Sequence, residues 1–404
     1  MTGTMLAITL SADWEPREGA RLTSNELAGH FAGDARQVWR NPHFQLGQRP
    51  LPRIDAPGDV IVKVHRAGIA RSNCKMGDSD AEGYVLLPYR MRLPLIPGHE
   101  IAGEIVEKGT AVRHLQVGDP VAIQALQPCG SCRACLQGKP NQCLETGFSG
   151  FTSDGGMAQY FVTSARFVHS LLPVAERFGF DRAMDVGAVC EPAAMAYVGL
   201  FRQAGGFLPG ATIAIFGCGP IGLSCVSLAR CAGAAKIVAF DRTQNRLRHA
   251  LALGADMAVN VRDAADQENG VSEALLEFSG GMGIDLVIEA TGDAWNLFPQ
   301  FEKALAIGAK VVSLGVERKP MPISLFPYQE TGAWLTGTMG HIGGFEPLIA
   351  LHASERMDLS TIIDARFDLA NGLQALQVAS RFDEAKVVLL PHAEPASIGD
   401  AQAI

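Results

Sequence analysis

Four cysteines close together in the chain have the spacing of a metal site: Cys129, Cys132, Cys135 and Cys143. Two-residue gaps separate the first three and a seven-residue gap precedes the fourth, so the four thiolates can surround one tetrahedral Zn²⁺ without long-range folding. Four protein ligands leave no open position, which predicts one structural zinc per chain. The alternatives are two disulfides or free thiols, and the tight spacing disfavours both.

A glycine-rich turn indicates a second kind of site, for a dinucleotide. The apolar stretch Thr212–Phe216 runs into Gly217-Cys218-Gly219-Pro220-Ile221-Gly222, and a helical pattern follows through Arg230. In such a turn the first glycine allows the tight bend, the second lets the backbone approach the pyrophosphate, and the third lets helix and strand pack closely. The helix N-terminus would then supply N–H groups to the phosphates.

Asp241 predicts which dinucleotide binds. It ends a second apolar stretch, 236–240, and lies 19 residues after Gly222. A carboxylate there can accept hydrogen bonds from the ribose hydroxyls and would repel a 2′-phosphate, which predicts NAD(H). The adjacent Arg242 can soften that repulsion, so NADP stays open as an alternative. The competing interpretation is a glycine turn in an unrelated α/β sheet, with Asp241 capping the next helix.

The hydrophobic pattern predicts the fold that positions these residues, an α/β fold of two domains. From about residue 195, apolar stretches alternate with helical patterns, which is typical of a parallel, doubly wound sheet. The stretches are 211–216, 235–240, 257–260, 285–289, 309–315 and 333–338. The preceding region favours β-strands, at 60–64, 100–107 and 119–123, and a further strand is predicted at 386–390. Residues 1–33 have only the weak periodicity of a polar lead-in.

Composition excludes several classes of protein. The 404 residues are 48% hydrophobic and 19% charged, as expected of a globular chain, and the net charge of −8 without a basic run argues against nucleic-acid binding. Ala211–Ala229 carries no charge, but its glycines and Pro220 favour a buried strand, turn and helix over a membrane span. Nine cysteines, four of them clustered, indicate a reducing compartment, and we expect a cytoplasmic protein.

These motifs, together with Pro97-Gly98-His99-Glu100 and Glu191-Pro192, resemble the zinc-containing medium-chain dehydrogenases, especially the sorbitol and threonine dehydrogenase branch. The stretch from Gly83 to His99 is similar to that of cyclitol (scyllo-inosose-type) dehydrogenases. The resemblance implies a GroES-like catalytic domain, a Rossmann domain inserted into it, and a homodimer or homotetramer. The implied division is an N-terminal extension, 1–33; the catalytic domain, 34–194, with its zinc lobe at about 128–145; the Rossmann domain, 195–341; and a closing segment, 342–404.

One segment departs from the family pattern. The family's catalytic zinc is usually bound by the cysteine of Gly-Ile-Cys-Gly-Ser-Asp-x-His, whereas this chain reads Gly68-Ile-Ala-Arg-Ser-Asn-Cys-Lys75. Ala70 replaces the cysteine, Asn73 the acidic residue and Lys75 the histidine, while Ser72 is kept. The other residues that the resemblance implies for the active site, His99, Glu100 and Glu191, are present.

Two alternatives follow for the altered segment. In the first, Cys74, one helical turn after Ala70, reaches the same space and completes a weakened metal site with His99 and Glu191. In the second, which we favour slightly, the metal is absent or altered and Lys75 transfers the proton together with Ser72. Tyr89 and Arg90, in the loop before His99, either bind substrate hydroxyls or an anionic group, or simply pack the loop.

Three functional hypotheses result. The first, which we favour, is an NAD(H)-dependent oxidoreductase that interconverts a secondary alcohol and a ketone on a polyol, cyclitol or sugar-like small molecule. The second is a family member whose altered zinc site performs another reduction, of an activated C=C bond or an imine. The third is a non-catalytic NAD-binding protein, and the retained His99, Glu100 and Glu191 argue against it.

Overall fold

The structure is a computed structural model that describes residues 3–264, 270–316 and 320–394. It divides into two compact units, Met1–Glu191 with Ile363–Ile404, and Pro192–Ile362. The first unit therefore contains both ends of the chain and the second is inserted between them. The second unit extends further than the predicted Rossmann domain and takes in residues 342–362, because Gly344 lies against Ala194 and the Cys231 thiol donates to the Arg356 carbonyl. Residues 395–404 of the predicted closing segment lie outside the described residues.

The secondary structure follows the predicted change from strands to alternating strands and helices. The strands are β1 (Thr4–Trp14), β2 (Trp39–Pro50), β3 (Asp59–Ile69), β4 (Glu100–Lys108), β5 (Pro120–Ile123), β6 (Leu126–Gln127), β7 (Gly147–Phe148), β8 (Tyr160–Ser164), β9 (Val168–Ser170), β10 (Thr212–Phe216), β11 (Lys236–Asp241), β12 (Met257–Asn260), β13 (Ile284–Glu289), β14 (Leu305–Ser313), β15 (Trp334–Gly337), β16 (Ile363–Asp368) and β17 (Lys386–Leu390).

The helices lie mostly in the second half of the chain. They are α1 (Ser24–Gly29), α2 (Arg71–Lys75), α3 (Arg133–Leu136), α4 (Leu172–Phe178), α5 (Phe180–Tyr197), α6 (Pro220–Cys231), α7 (Gln244–Ala252), α8 (Val261–Ala264), α9 (Gly270–Ser279), α10 (Ala294–Phe301), α11 (Leu325–Thr331), α12 (Phe345–Ala353) and α13 (Gly372–Arg381). Single turns of 3₁₀ or π-helix occur at Ala35–Gln37, Pro140–Gln142, Ala165–Phe167, Val198–Gln203, Glu302–Ala304, Leu359–Ile362 and Leu369–Asn371.

The first unit is built around one mixed sheet. In the described chain its strands run in the order β16-β17-β3-β4-β5-β9, and β8 also pairs with β3. Valine and isoleucine predominate in β3, where Val60, Val62 and Val64 are fully buried. These side chains join a core to which α13 contributes Ala375 and Leu376. The sheet thus places the start of β4 and the start of β17 on either side of β3.

The structure differs from the polar lead-in expected for residues 1–33. β1 pairs with β2 in antiparallel register, with Ile8 opposite Leu46. The Leu10 amide donates to the Leu95 carbonyl at 2.8 Å, and both Ile8 and Leu10 are fully buried. The alternation of apolar and polar residues in β1 is a strand signal that the sequence analysis did not use.

The second unit has the predicted doubly wound fold. Its described strands form one parallel sheet in the order β12-β11-β10-β13-β14-β15. All six predicted strands are present, which confirms the fold class. The direction of winding reverses between β10 and β13, and ligands bind such sheets at the carboxyl ends of the strands beside this reversal.

One helical segment, Phe180–Gln203, is long and apolar enough to cross a membrane by length and composition. In the structure 78% of its most apolar window is buried inside the protein. The predicted alternative for Ala211–Ala229, a strand, turn and helix, is present as β10 and α6.

Candidate active site

Three predicted residues meet in the interior of the first unit. His99 immediately precedes β4, Glu100 begins it, and Glu191 lies on α5. One potential ligand atom from each side chain lies within 4.8 Å of the other two, and all three residues are buried. An imidazole beside two carboxylates can hold a cation or handle a proton, and the groups around it decide between these uses.

Glu100 has a partner that the sequence analysis missed. Its carboxylate forms an ion pair with the ammonium of Lys386, and the two residues are 2% and 1% exposed. The Lys386 Nζ also donates to the Ile69 carbonyl at 3.3 Å. Burial raises the pKa of Glu100, Lys386 lowers it and the nearby Glu191 raises it, and the net pKa is about 7. The available sequence signal was a lysine opening the otherwise apolar strand β17.

Asn73 contacts His99 from the other side. Its Oδ1 accepts a hydrogen bond from the Ala70 amide at 3.0 Å, and its Nδ2 lies 3.5 Å from Nδ1 of His99. Asn73 is fully buried, and it stands on α2 where the family pattern has an acid. In the sequence, position 73 shows only the loss of the acid, and nothing there indicates a role for the amide.

Cys74 does not join the cluster. Its thiol lies 3.8 Å from the Leu376 carbonyl, and the residue belongs to the hydrophobic core. Burial raises the pKa of this thiol to about 12, which disfavours the thiolate that a metal needs. The structure therefore does not place Cys74 where Ala70 lacks a thiolate. Ser72 and Lys75 lie on the same short helix and are partly exposed.

Aromatic rings border His99. Phe148 and Phe151 stack with 4.3 Å between centroids, and the His99 ring lies 5.3 and 5.4 Å from them. Tyr89 packs edge-on against Phe151 at 5.8 Å, whereas the Arg90 guanidinium lies 4.5 Å over Phe31. Tyr89 and Arg90 thus both make ring contacts, and the N-terminal segment supports their loop through Phe31 and through the Ala35 amide, which donates to the Tyr89 carbonyl at 3.0 Å.

The four cysteines of the lobe come together as predicted. Their Sγ atoms are separated by 3.6 Å (Cys129–Cys143), 3.6 Å (Cys132–Cys135), 3.9 Å (Cys132–Cys143) and 4.0 Å (Cys129–Cys135). Four sulfurs at about 2.3 Å from a central Zn²⁺ would be about 3.8 Å apart, whereas a disulfide needs about 2.05 Å. The spacing therefore fits a ZnS₄ tetrahedron and excludes disulfides among these four.

Backbone amides reinforce the lobe. The Ser131 and Cys132 amides donate to the Cys129 Sγ at 3.4 and 3.3 Å. These hydrogen bonds lower the pKa of the Cys129 thiol to about 6. Backbone hydrogen bonds also lower the pKa of Cys132, whereas burial raises the pKa of Cys135 to about 12. A thiolate is the form that binds zinc, so the amides favour metal binding at Cys129 and Cys132.

The glycine-rich turn of the second unit lies between β10 and α6, and Gly219 precedes the first residue of that helix, Pro220. Ile221 follows within the helix. Gly217 has φ +94°, and a Cβ at Gly222 would lie 1.7 Å from the Gly217 carbonyl oxygen. No other residue type fits these two positions, so both glycines fix the shape of the turn. The Gly217 and Cys218 amides donate to the Phe240 carbonyl and the Asp241 carboxylate, which assigns a phosphate to the N-terminus of α6.

Asp241 ends β11 beside this turn. Its Oδ2 accepts from the Cys218 amide at 2.7 Å and its Oδ1 from the Thr243 amide at 2.9 Å. The carboxylate thus fixes the turn and retains lone pairs for two ribose hydroxyls. Arg242 is exposed, whereas Arg246, which the sequence analysis missed, has its Nη1 3.9 Å from where a Cβ of Gly219 would be.

Family profiles match both parts of the chain. Residues 56–173 match "Alcohol dehydrogenase GroES-like domain" and residues 220–352 match "Zinc-binding dehydrogenase". The scyllo-inosose 3-dehydrogenase of Thermotoga maritima is 34% identical over 371 residues, which cover 89% of this chain and 92% of that relative. The sorbitol dehydrogenase of Bombyx mori is 30% identical, covering 84% of this chain and 93% of that protein.

Solved structures agree with these relatives. A structure described as an alcohol dehydrogenase from Thermotoga maritima superposes with a TM-score of 0.90 at 32% identity, covering 96% of this chain and all (100%) of that one. The alcohol dehydrogenase TADH from Thermus sp. ATN1 gives a TM-score of 0.74 at 28% identity, covering 86% of this chain and 96% of that one. The matches therefore span nearly the full length of these four proteins.

Proposed function

The chain belongs to the zinc-binding medium-chain alcohol dehydrogenases, and from this premise we propose that it interconverts a secondary alcohol and a ketone on a polyol, cyclitol or sugar-like substrate. The observation that carries the proposal is the 34% identity to a scyllo-inosose 3-dehydrogenase across 89% of the chain. The buried His99, Glu100 and Glu191 supply polar groups for a hydroxylated small molecule.

We propose NAD(H) as the cofactor. The bound nicotinamide would accept or supply the hydride. The turn from Gly217 to Gly222 would bring the pyrophosphate to the N–H groups at the start of α6, and Asp241 would bind the adenosine ribose. The negative charge of Asp241 supports NAD(H) over NADP(H), while Arg242 and Arg246 are the nearby cations that would moderate this preference.

One structural zinc per chain is the second part of the proposal. It would be bound by Cys129, Cys132, Cys135 and Cys143, whose sulfur spacing and backbone hydrogen bonds suit a Zn²⁺ thiolate site. This ion would stabilise the lobe and take no part in the reaction, because it would have no open coordination position.

The family's catalytic zinc fits the residues of this chain poorly. Ala70 provides no ligand and Cys74 points into the core. The Glu100 carboxylate is already paired with Lys386, and the amide nitrogen of Asn73 lies beside His99. These residues therefore do not support proton transfer through a bound metal. In its place Lys75, with Ser72, would transfer the proton between substrate and solvent, since both are partly exposed on α2 in the same unit as the cluster.

The protein would act as a homodimer or homotetramer. Strand β15 lies at the edge of the parallel sheet, where Trp334 is 71% exposed and Leu335 is also exposed. An edge strand with exposed apolar side chains is suited to pairing with another copy.

We propose a cytoplasmic location. None of the nine cysteines forms a disulfide, which supports the reducing environment of the cytoplasm.

The proposed activity is tested with the purified protein and a panel of cyclitols, polyols and their ketones, following NADH absorbance in both directions. We expect oxidation of at least one cyclitol or polyol with NAD⁺. Reduction confined to activated C=C bonds or imines would instead favour the second hypothesis. No hydride transfer with any substrate of the panel would contradict the proposal. Metal analysis of the same preparation should find one zinc per chain.

A further inference from the structure

We propose that Asn73 fixes the tautomer of His99, so that His99 presents an N–H to the substrate oxygen and is unsuited to binding a catalytic zinc. This inference rests on the proposed function for its substrate. It makes Asn73 a positioning residue, because it acts through His99, and it makes His99 a hydrogen-bond donor in the reaction.

The orientation of the Asn73 amide is fixed by its neighbour. The backbone amide of Ala70 can only donate, so the Asn73 atom that lies 3.0 Å from it must be the oxygen. The other end of the side chain is therefore the NH₂ group, and it faces Nδ1 of His99 at 3.5 Å and the Met76 sulfur at 4.0 Å. Full burial of Asn73 favours this single orientation, because a flip would place the NH₂ against the Ala70 N–H.

The orientation of the amide determines where His99 carries its proton. A neutral imidazole has one donor and one acceptor nitrogen, and a nitrogen that faces an N–H group must be the acceptor. Nδ1 of His99 is consequently unprotonated, and its Nε2 carries the hydrogen. The N–H of the ring therefore lies on the side away from Asn73.

The same arrangement disfavours zinc. Binding a cation through Nε2 requires its lone pair, so the proton would have to move to Nδ1. The Nδ1–H would then point at the NH₂ of Asn73, so that two donors face each other in a buried site. A carboxylate at position 73 would accept that hydrogen bond and favour the ligand tautomer. The two changes in this segment, at Ala70 and Asn73, thus both act against a metal.

The reaction then uses His99 as an electrophilic donor. In alcohol oxidation the C–H electron pair would leave as hydride to a bound NAD⁺, the hydroxyl proton would pass to Lys75 acting as the base, and the C=O bond would form. His99 keeps its proton throughout and donates a hydrogen bond to the oxygen as negative charge develops there. A preorganised donor of this kind typically contributes on the order of 10²-fold in turnover.

The first test measures the tautomer of His99 by NMR. In protein labelled with ¹⁵N-histidine, two-bond ¹H–¹⁵N correlations show which ring nitrogen carries the hydrogen, and the His99 signals are assigned by their loss in His99→Gln. We expect the proton on Nε2 of His99 in the unmodified protein near neutral pH. A proton on Nδ1, or on both nitrogens, would overturn the proposal. This measurement requires neither substrate nor turnover.

The second test reads metal content. Ala70→Cys restores the thiolate but keeps Asn73, and we expect it to remain near one zinc per chain after incubation with Zn²⁺ and gel filtration. The double variant Ala70→Cys with Asn73→Asp should gain close to one further equivalent. A full second zinc in Ala70→Cys alone, or in the unmodified protein, would show that Asn73 does not disfavour the metal.

Turnover provides the third test. Asn73→Asp should lower kcat on the order of 10²-fold without added metal, because His99 would then direct its proton away from the substrate, while NADH affinity should stay unchanged. An unaltered kcat in a folded Asn73→Asp variant would contradict the inference. If the unmodified protein turns over no substrate of the panel, the proposed function fails, whereas the tautomer and zinc measurements still decide the role of Asn73.

Discussion

Glu100 and Lys386, 286 positions apart in the chain, form a buried ion pair across strand β3 of the first unit. Glu100 begins β4 and Lys386 begins β17, and both of these strands pair with β3. The residue of β3 between them is Gly68, where a Cβ would lie 2.0 Å from the Glu100 Oε2 and 2.9 Å from the Lys386 Cε. Only a glycine leaves room for the two charged side chains to meet there.

Removal of the lysine should destabilise the protein strongly. Lys386→Met would leave the Glu100 carboxylate buried without its cation, and we expect a loss of about 3–5 kcal/mol in the free energy of unfolding. The double variant Lys386→Met with Glu100→Gln should lose clearly less, since it buries no unpaired charge. Urea unfolding at pH 8 measures both. Equal losses in the single and double variants would show that the ion pair is not the cause.

The raised pKa of Glu100 predicts how stability changes with pH. A carboxyl whose pKa is about 7 when folded and 4.5 when unfolded favours folding while it is protonated, and this contribution is lost as the pH rises through about 7. The free energy of unfolding, relative to Glu100→Gln, should therefore fall between pH 5 and 7, by at most about 1.4 kcal/mol per pH unit. His65 and His392, whose pKa values burial lowers, titrate in both proteins and cancel in this difference. A difference that rises with pH would refute the prediction.

The cysteine lobe offers a test with an internal control. Cys143→Ser should lower the zinc content by about one equivalent per chain and reduce thermal stability, because the remaining three thiolates form a weaker site. Cys231→Ser changes an exposed cysteine outside the lobe and should leave zinc content unaltered. Zinc is measured by plasma mass spectrometry and stability by calorimetry. Retention of full zinc content in Cys143→Ser would exclude the proposed site.

The features that the sequence predicted well are those set by local spacing. The strands of the second unit follow from apolar stretches bounded by glycine, and the cysteine lobe follows from ligands within one short segment. The meeting of His99 with Glu191 was an implication of family resemblance, because neither periodicity nor spacing relates residues so far apart.

The features that were missed depend on tertiary contacts. The role of Lys386 depends on the pairing of β17 with β3, which brings it to Glu100. The role of Asn73 depends on the contact of its amide with His99. Cys74 seemed able to replace Ala70 from helical spacing alone, but the packing of α13 turns its thiol into the core. In the N-terminal segment, apolar and polar residues alternate along β1, which is a strand signal. Its partner β2 begins only at Trp39, so the pairing is not visible within residues 1–33.

Cofactor preference should depend on the charge of Asp241. Asp241→Asn keeps an oxygen that can accept the Cys218 amide but removes the negative charge that opposes a 2′-phosphate. We expect the turn of this variant to stay folded and its affinities for NADH and NADPH to become more similar. Asp241→Ala should instead destabilise the turn and weaken NADH binding. Fluorescence titration gives the dissociation constants. Tighter binding of NADPH than NADH by the unmodified protein would overturn the assignment of the cofactor.

Lys75 provides the decisive test of proton transfer without a metal. It ends α2, two positions after Asn73, in a segment where the family pattern has a histidine. Removal of its ammonium in Lys75→Met should lower turnover on the order of 10²-fold or more, the usual scale for a general acid or base. NADH affinity should be nearly unchanged, since Lys75 belongs to the first unit and the glycine-rich turn to the second. Lys139→Met removes the same charge from an exposed position in the cysteine lobe and should keep normal turnover. The assay is run with and without added zinc, and near-normal turnover of Lys75→Met in its absence would assign proton transfer to another group.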